Sequence, residues 1–242
     1  MSKIHQISRM VFDRFQHNHY QPKGLISEPE FEWIRDHSRL PWLKLDVEIP
    51  VQIILTEIQA IRHLLVSHRD NYNEHQGWES FCIHGRGYNF TREDECYSES
   101  DPDYHWTTEA KQYMPSTVQY FQTQWPGQEF QRIRVMRLAP NGYISVHKDS
   151  TSDQLHPINI AITQPQSCAF VMEKHGTVPF HAGSAFWLNV SNRHVVFNDS
   201  DQERWHIIVH QKNDNIKFRE VVAKSYNILY NQLNENSNNT NP

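Results

Sequence analysis

His147 and Asp149 form an H-x-D triplet in the segment Y-I-S-V-H-K-D-S, residues 143–150. Residues separated by one lie on the same face of a β-strand, so this imidazole and carboxylate start about 7 Å apart along the chain and can close on one ion. A third ligand from another strand completes a 2-His-1-carboxylate face. That donor set suits non-haem Fe(II) and leaves positions open for substrate and oxygen. His194, in N-R-H-V-V-F, is the candidate third ligand. The chain carries 16 histidines, and taken alone the triplet serves equally well as a hydrogen-bonded pair at a strand end. Its context has to decide.

The elements that would position these groups are short and β-like. R-I-R-V-M-R-L-A-P-N-G-Y-I-S-V leads into the triplet, with Pro140-Asn141-Gly142 reading as a turn between two strands. Five apolar runs follow, L-H-P-I-N-I-A-I, C-A-F-V-M, T-V-P-F, S-A-F-W-L-N-V and H-V-V-F, and then a last strand, W-H-I-I-V-H. Many short strands at close spacing predict a mainly β fold with flanking helices, a double-stranded β-helix of the jelly-roll, cupin-like kind.

The segment G-S-A-F-W-L-N-V-S-N-R-H-V-V-F-N-D-S-D-Q-E-R-W-H-I-I-V resembles the end of the double-stranded β-helix in aspartyl/asparaginyl β-hydroxylase-like Fe(II)/2-oxoglutarate dioxygenases, which include bacterial free-proline hydroxylases. The likeness covers residues 75–212. In that family an H-x-D triplet, a distal His and an Arg ten residues beyond it bind iron and the co-substrate. Arg204 stands ten residues after His194. The resemblance therefore implies Fe(II) held by His147, Asp149 and His194, with 2-oxoglutarate anchored by Arg204. It also implies hydroxylation of an unactivated carbon, with release of succinate and CO2. A far carboxylate buried unpaired would be costly, and a guanidinium can meet it with a bidentate fork that Lys does not reproduce. Without the resemblance, Arg204 could pair with Glu203 or Asp201 at the surface.

Family members often carry R-L-H on the strand after H-x-D. Here the match is Gln154-Leu155-His156, with the Arg absent. His156 is the candidate for the second co-substrate contact, and Asn159 replaces it if the register differs by one. His206 borders the pocket or sits satisfied in the core. His206 and His210 are about 13 Å apart along a strand, too far for a shared ion, and at most one is expected near the site. His175 and His181 flank glycine turns and read as loop residues.

Composition narrows the class. The net charge is −5 with no long basic run, which argues against nucleic acid as a partner. Three cysteines without C-x-x-C spacing fit a reducing compartment, and no leader-like or 18-residue apolar segment is seen, so a cytoplasmic protein without a membrane partner is expected. Residues 1–125 read as an N-terminal arm and helices packed on the core, 126–212 as the catalytic double-stranded β-helix, and 213–242 as an extension ending in an unfolded Asn-rich tail. The apolar spacing of Ile54, Ile58, Ile61, Leu64 and Leu65 predicts one amphipathic helix, with His63 and His68 on its surface. A short strand is expected from Gly77. Two short helices are expected after Tyr104, one starting near Thr107 and one at Pro115. The acidic stretch 92–103 reads as a solvated loop, or as a lid.

The expected reaction partners are molecular oxygen and a small polar molecule such as a free amino acid. An aspartyl/asparaginyl-type protein hydroxylase and a catalytically silent cupin-like binding domain are the alternatives. A metal enzyme that uses no 2-oxoglutarate is a further one, which a buried Arg204 argues against.

Overall fold

A computed structural model describes residues 28–68, 75–90, 104–212 and 215–238. The acidic stretch 92–103, residues 1–27 of the expected arm and the last four residues lie outside them.

The spine of the fold is β5 (Gln128–His147). Its first half pairs antiparallel with β11 (Arg204–Lys212), Arg204 facing Leu138 and His210 facing Arg132. Its last residues pair on the same edge with β10 (His194–Asn198), His194 facing His147. The opposite edge is followed through both halves by β3 (His75–Gly85), which is longer than the strand expected from Gly77. β5 is thus continuous through Pro140-Asn141-Gly142, and the expected turn is a kink. The local chemistry suits either outcome. Pro140 has no N–H for a ladder, Asn141 has φ +57°, and a Cβ on Gly142 would lie 2.8 Å from the carbonyl oxygens of Ala139 and Gln76. Across the ladder β3 bends too: Gly77 has φ +69° and the register slips between Gln76 and Trp78. This double kink hands one edge of β5 from β11 to β10.

The sheet continues from β11 to β6 (Ile158–Ala161), β9 (Ala185–Leu188) and β1 (Trp42–Leu45). From β10 it continues to β7 (Cys168–Met172) and the two-residue β8 (Gly176–Thr177). The short β2 (Val66–Ser67) and β4 (His105–Trp106) extend β3. The result is the mainly β, cupin-like double-stranded β-helix that the strand pattern predicts.

Period-2 alternation divides each strand between two faces. Ile133, Val135, Ile158, Ile160, Trp187, Ile207 and Val209 face outward into a core closed by helices. Those helices are α1 (Glu28–Asp36), α2 (Val51–Ala60), α3 (Thr108–Tyr113), α4 (Pro115–Thr123) and α5 (Ile216–Asn238). They contribute Phe31, Ile54, Ile58, Phe121, Phe218 and Val222 to the same core. Inward, Leu138, Phe170, Phe186, Leu188 and Val196 form a second apolar cluster. Thr107 caps α3 by accepting from Ala110 N at 3.2 Å, and Pro115 occupies the first turn of α4, as predicted.

Three expectations change. The helix expected through Leu65 ends at Ala60, because Val66 pairs with Ser80 of β3 and the intervening residues tighten into a 3₁₀ turn. His68 follows that strand and is buried, not on a helix surface. At the other end α5 runs to Asn238, so residues 231–238 are helical where composition predicted an unfolded tail. Phe218, Val222 and Tyr226 dock the start of this helix, and elongation from a fixed first part costs far less than nucleation.

Candidate active site

The His194–His147 register brings two imidazoles from β10 and β5 together at the end of the kinked ladder, with ring centroids 4.3 Å apart. Asp149 lies just past the end of β5, where its backbone N–H donates to Val190 O. Its carboxylate reaches both rings, with Oδ1 3.5 Å from His147 Nε2 and Oδ2 3.4 Å from His194 Nε2. One ligand atom from each residue falls within 4.8 Å of the other two, and no other such group occurs among the described residues. Adjacent donors about 2.1 Å from a shared ion lie about 3 Å apart, so modest inward movement would complete the site.

The far sides of both rings support the same reading. His147 Nδ1 lies 2.6 Å from Ser145 O, and His194 Nδ1 lies 2.9 Å from Asn192 O. A carbonyl only accepts, so each Nδ1 donates, and it is the Nε2 of each ring that faces Asp149. Phe170 stacks on His194 at 4.9 Å and fixes its plane. His194 is buried, whereas the Asp149 side chain is 37% exposed and lines the same cavity.

Arg204 opens the inward face of β11 and is buried. Its neighbour Glu203 points outward to Arg62 and Arg137, so the surface ion pair considered for Arg204 belongs to Glu203 instead. Among the described residues Arg204 has no carboxylate partner, and its Nε has no hydrogen-bond partner. Burial pushes its pKa down to about 10, which still leaves it cationic at neutral pH. Nη2 lies 3.0 Å from His206 Nδ1, with Asn159 Oδ1 2.6 Å from the same nitrogen and Gln164 Oε1 3.1 Å from Nε2. Burial, and then the Arg204 charge, hold His206 well below its ordinary pKa, so its ring is neutral. A buried guanidinium with an orphaned N–H fits the far carboxylate of 2-oxoglutarate.

Triad and arginine line one cavity of about 400 Å³. His156 lines it as well, next to the ring of His210 at 5.6 Å and apart from the Arg204–His206 contacts, which Asn159 joins instead. Both His206 and His210 reach the cavity, although at most one was expected there. The strand is long enough to place one near each end. Sequence reasoning passed over Arg132 and Arg134, which also line the cavity and are 1% and 3% exposed. Their signal was the alternation R-I-R-V-M, which ordinarily puts arginine in water. Here helices cover the Ile133 and Val135 face, and the arginine face turns inward.

A double-stranded β-helix enclosing a His-Asp-His group defines a non-haem iron, 2-oxoglutarate-dependent dioxygenase. A family model described as aspartyl/asparaginyl beta-hydroxylase matches residues 50–213 of the 242, and the chain belongs to that family. No curated protein matches the sequence. Among solved structures, the chain is similar to a 2OG-Fe(II) oxygenase family oxidoreductase from Burkholderia pseudomallei at 14% identity, covering 68% of this chain and 81% of that one with a TM-score of 0.43. It is also similar to a Pseudomonas putida prolyl-4-hydroxylase at 14% identity, 71% and 93% coverage and TM-score 0.41. A third similar structure is the α-ketoglutarate-dependent epimerase SnoN from nogalamycin biosynthesis, at 10% identity, 76% and 81% coverage and TM-score 0.44. No described helix is long and apolar enough to cross a membrane.

Proposed function

We propose that His147, Asp149 and His194 hold Fe(II), that Arg204 anchors 2-oxoglutarate, and that the enzyme hydroxylates an unactivated carbon of a small polar metabolite such as a free amino acid. The observation that carries this reading is the convergence of the three ligand atoms beside a buried arginine that lacks a carboxylate partner. Iron with oxygen and 2-oxoglutarate supplies an oxidative decarboxylation coupled to C–H hydroxylation.

The chain's own groups do the rest. Ser145 O and Asn192 O hold the two imidazoles in the tautomer that ligates through Nε2. Arg204 offers a charge-assisted donor in a dry site, and the neutral His206 ring beside it adds no second positive charge. His156 and Asn159 line the cavity, and Asn159 Oδ1 lies 2.6 Å from His206 Nδ1. Phe170, Leu188, Val190 and Val196 exclude water around the ligands. The cavity volume lies in the small-molecule range and is shared with the co-substrate, which favours a metabolite over a long peptide. Cys82 and Cys168 are free and buried, in keeping with a cytoplasmic enzyme.

Metal titration of the parent and of Asp149→Ala tests the triad. The parent should bind one Zn(II) or Fe(II) per chain, and the variant should bind it at least about tenfold more weakly without losing its fold. Equal affinities would remove Asp149 from the site. Succinate formation should then be measured against panels of free amino acids and peptides. Stimulation by peptides alone would move the assignment to a protein hydroxylase.

A further inference from the structure

One short stretch, from the end of β9 to the start of β10, holds two of the three ligand residues. On one side it pins the loop 149–157 at three successive points. Asp149 N–H donates to Val190 O at 3.1 Å, Asn189 Nδ2 donates to Asp153 Oδ1 at 2.7 Å, and His156 N–H donates to Leu188 O at 3.0 Å. Leu188 N–H closes the far end of that loop by donating to Pro157 O at 3.0 Å. On the other side, two residues past Val190, Asn192 O accepts from His194 Nδ1 at 2.9 Å. Residues 188–192 therefore stand between the carboxylate ligand and the His194 ring and touch the segments of both.

The middle of the three points is made by side chains, and its centre is Asn189, which is 1% exposed. Besides the bond to Asp153, its Oδ1 accepts from Ser191 N–H at 3.2 Å and from Ser191 Oγ at 2.6 Å. Those partners fix which way the amide points, because a backbone N–H only donates and a carboxylate only accepts. The bond to Ser191 N–H closes a turn two residues long, the arrangement that asparagine favours. The backbone of Asn189 is held as firmly: its N–H donates to Pro41 O at 2.9 Å, and its carbonyl accepts from Asn192 N–H at 3.2 Å and Asn192 Nδ2 at 3.0 Å. The turn so built sets where Asn192 O meets His194. Asp149 lies beyond the end of β5, so its place depends on the contacts of its own loop with this turn.

We propose that Asn189 is a positioning residue for the metal site. Through Asp153 it keeps the Asp149 loop laid against the turn, and through Ser191 it aims the Asn192 carbonyl at His194, so that carboxylate and imidazole meet one ion. This rests on the assignment of His147, Asp149 and His194 as the ligands. His147 is oriented separately, by Ser145 O on β5. Loss of the Asn189 contacts therefore disturbs two ligands and spares the third, which changes the geometry around a bound ion as well as its affinity.

The test titrates the full chain with Co(II), whose visible absorption reports the geometry of its ligands, and melts each metal-free protein. Asn189→Ala should weaken Co(II) binding by about tenfold and alter the absorption at saturation. Asn189→Asp should act in the same direction, since it keeps the acceptor for Ser191 but turns a second carboxylate toward Asp153. Adding Asp153→Asn to Asn189→Asp exchanges donor and acceptor across that contact. The exchange should return the affinity to within about threefold of the parent and restore the parent spectrum. If Asn189→Ala does not fold, Asp153→Ala removes the contact from its exposed end and should weaken binding by about threefold. A variant that melts lower yet keeps the parent's affinity and spectrum gives Asn189 a structural role only and overturns the proposal, as does a loss that the exchange does not recover. If the parent binds no Co(II), the ligand assignment falls and the positioning role falls with it. Parent binding that the Asn189 and Asp153 substitutions leave unchanged sinks the Asn189 proposal alone.

Discussion

Arg204→Met removes the guanidinium while keeping most of the buried stem, and so isolates the charge. In the folded chain burial depresses the Arg204 pKa to about 10, a penalty of ~3 kcal/mol that no described carboxylate offsets. An anion entering the pocket relieves part of that penalty. Removing one partner from a buried pair costs about 3–5 kcal/mol, which corresponds to roughly 150- to 5000-fold in the dissociation constant of 2-oxoglutarate. Calorimetry on the Zn(II)-loaded protein measures it directly. Metal affinity should change little, because Phe170 and Phe180 separate Arg204 from the ligands. The metal-free variant should also melt about 2–4 °C higher, since a buried cation without a counter-charge has been replaced by an apolar side chain. Arg204→Lys should restore only part of the co-substrate affinity, keeping the charge but losing the fork. Unchanged 2-oxoglutarate affinity in Arg204→Met would refute the reasoning and leave Arg204 as a packing residue.

Three further outcomes follow from the same geometry. Gly142→Ala should destabilise the fold by about 2 kcal/mol or more in urea denaturation, because its Cβ would press on two backbone oxygens at 2.8 Å, and it should weaken metal binding by disturbing the His147–His194 register; a neutral effect would show the kink to be soft. His84 is held at a pKa of about 4 by burial, so the unfolded chain takes up protons before the folded one does. Stability should therefore fall as pH drops from about 6.5 toward 4, and His84→Phe, packed between Trp106 and Phe130, should flatten that part of the profile; an unaltered slope would assign it to other groups. Deleting residues 231–242 should shift the melting temperature by less than about 2 °C, since among the described side chains of α5 the last fully buried one is Tyr226; a large drop would mean that the helix end docks.

How far the amino-acid sequence reaches is visible at particular residues. His147, Asp149, His194 and Arg204 could be singled out because their spacing is local: two positions apart at the end of one strand, and ten positions apart across the loop between two strands on the same edge of β5. The Thr107 cap and the Pro115 helix start were legible for the same reason, since caps depend on neighbours in the chain, whereas β1, β2 and β4 were not anticipated. Pro140-Asn141-Gly142 marks where the tertiary structure took over. Those residues permit a hairpin turn or a kink, and the choice fell to pairing with β3, whose Gly77 bends at the same level.

Arg132 and Arg134 show the same limit more sharply. In R-I-R-V-M the charged and apolar residues alternate, and alternation says that the two faces differ without saying which one meets water. Helices from both ends of the chain cover the Ile133–Val135 face, so the arginines enclose a cavity. His68 was misplaced because a helical period continued in the sequence past Ala60, while pairing of Val66 with Ser80 ended the helix. The residue types that can bind iron and a diacid were written in the chain order. Which charges share a cavity with them depended on contacts between strands and helices distant in sequence, whose burial outweighs any preference a short segment has on its own.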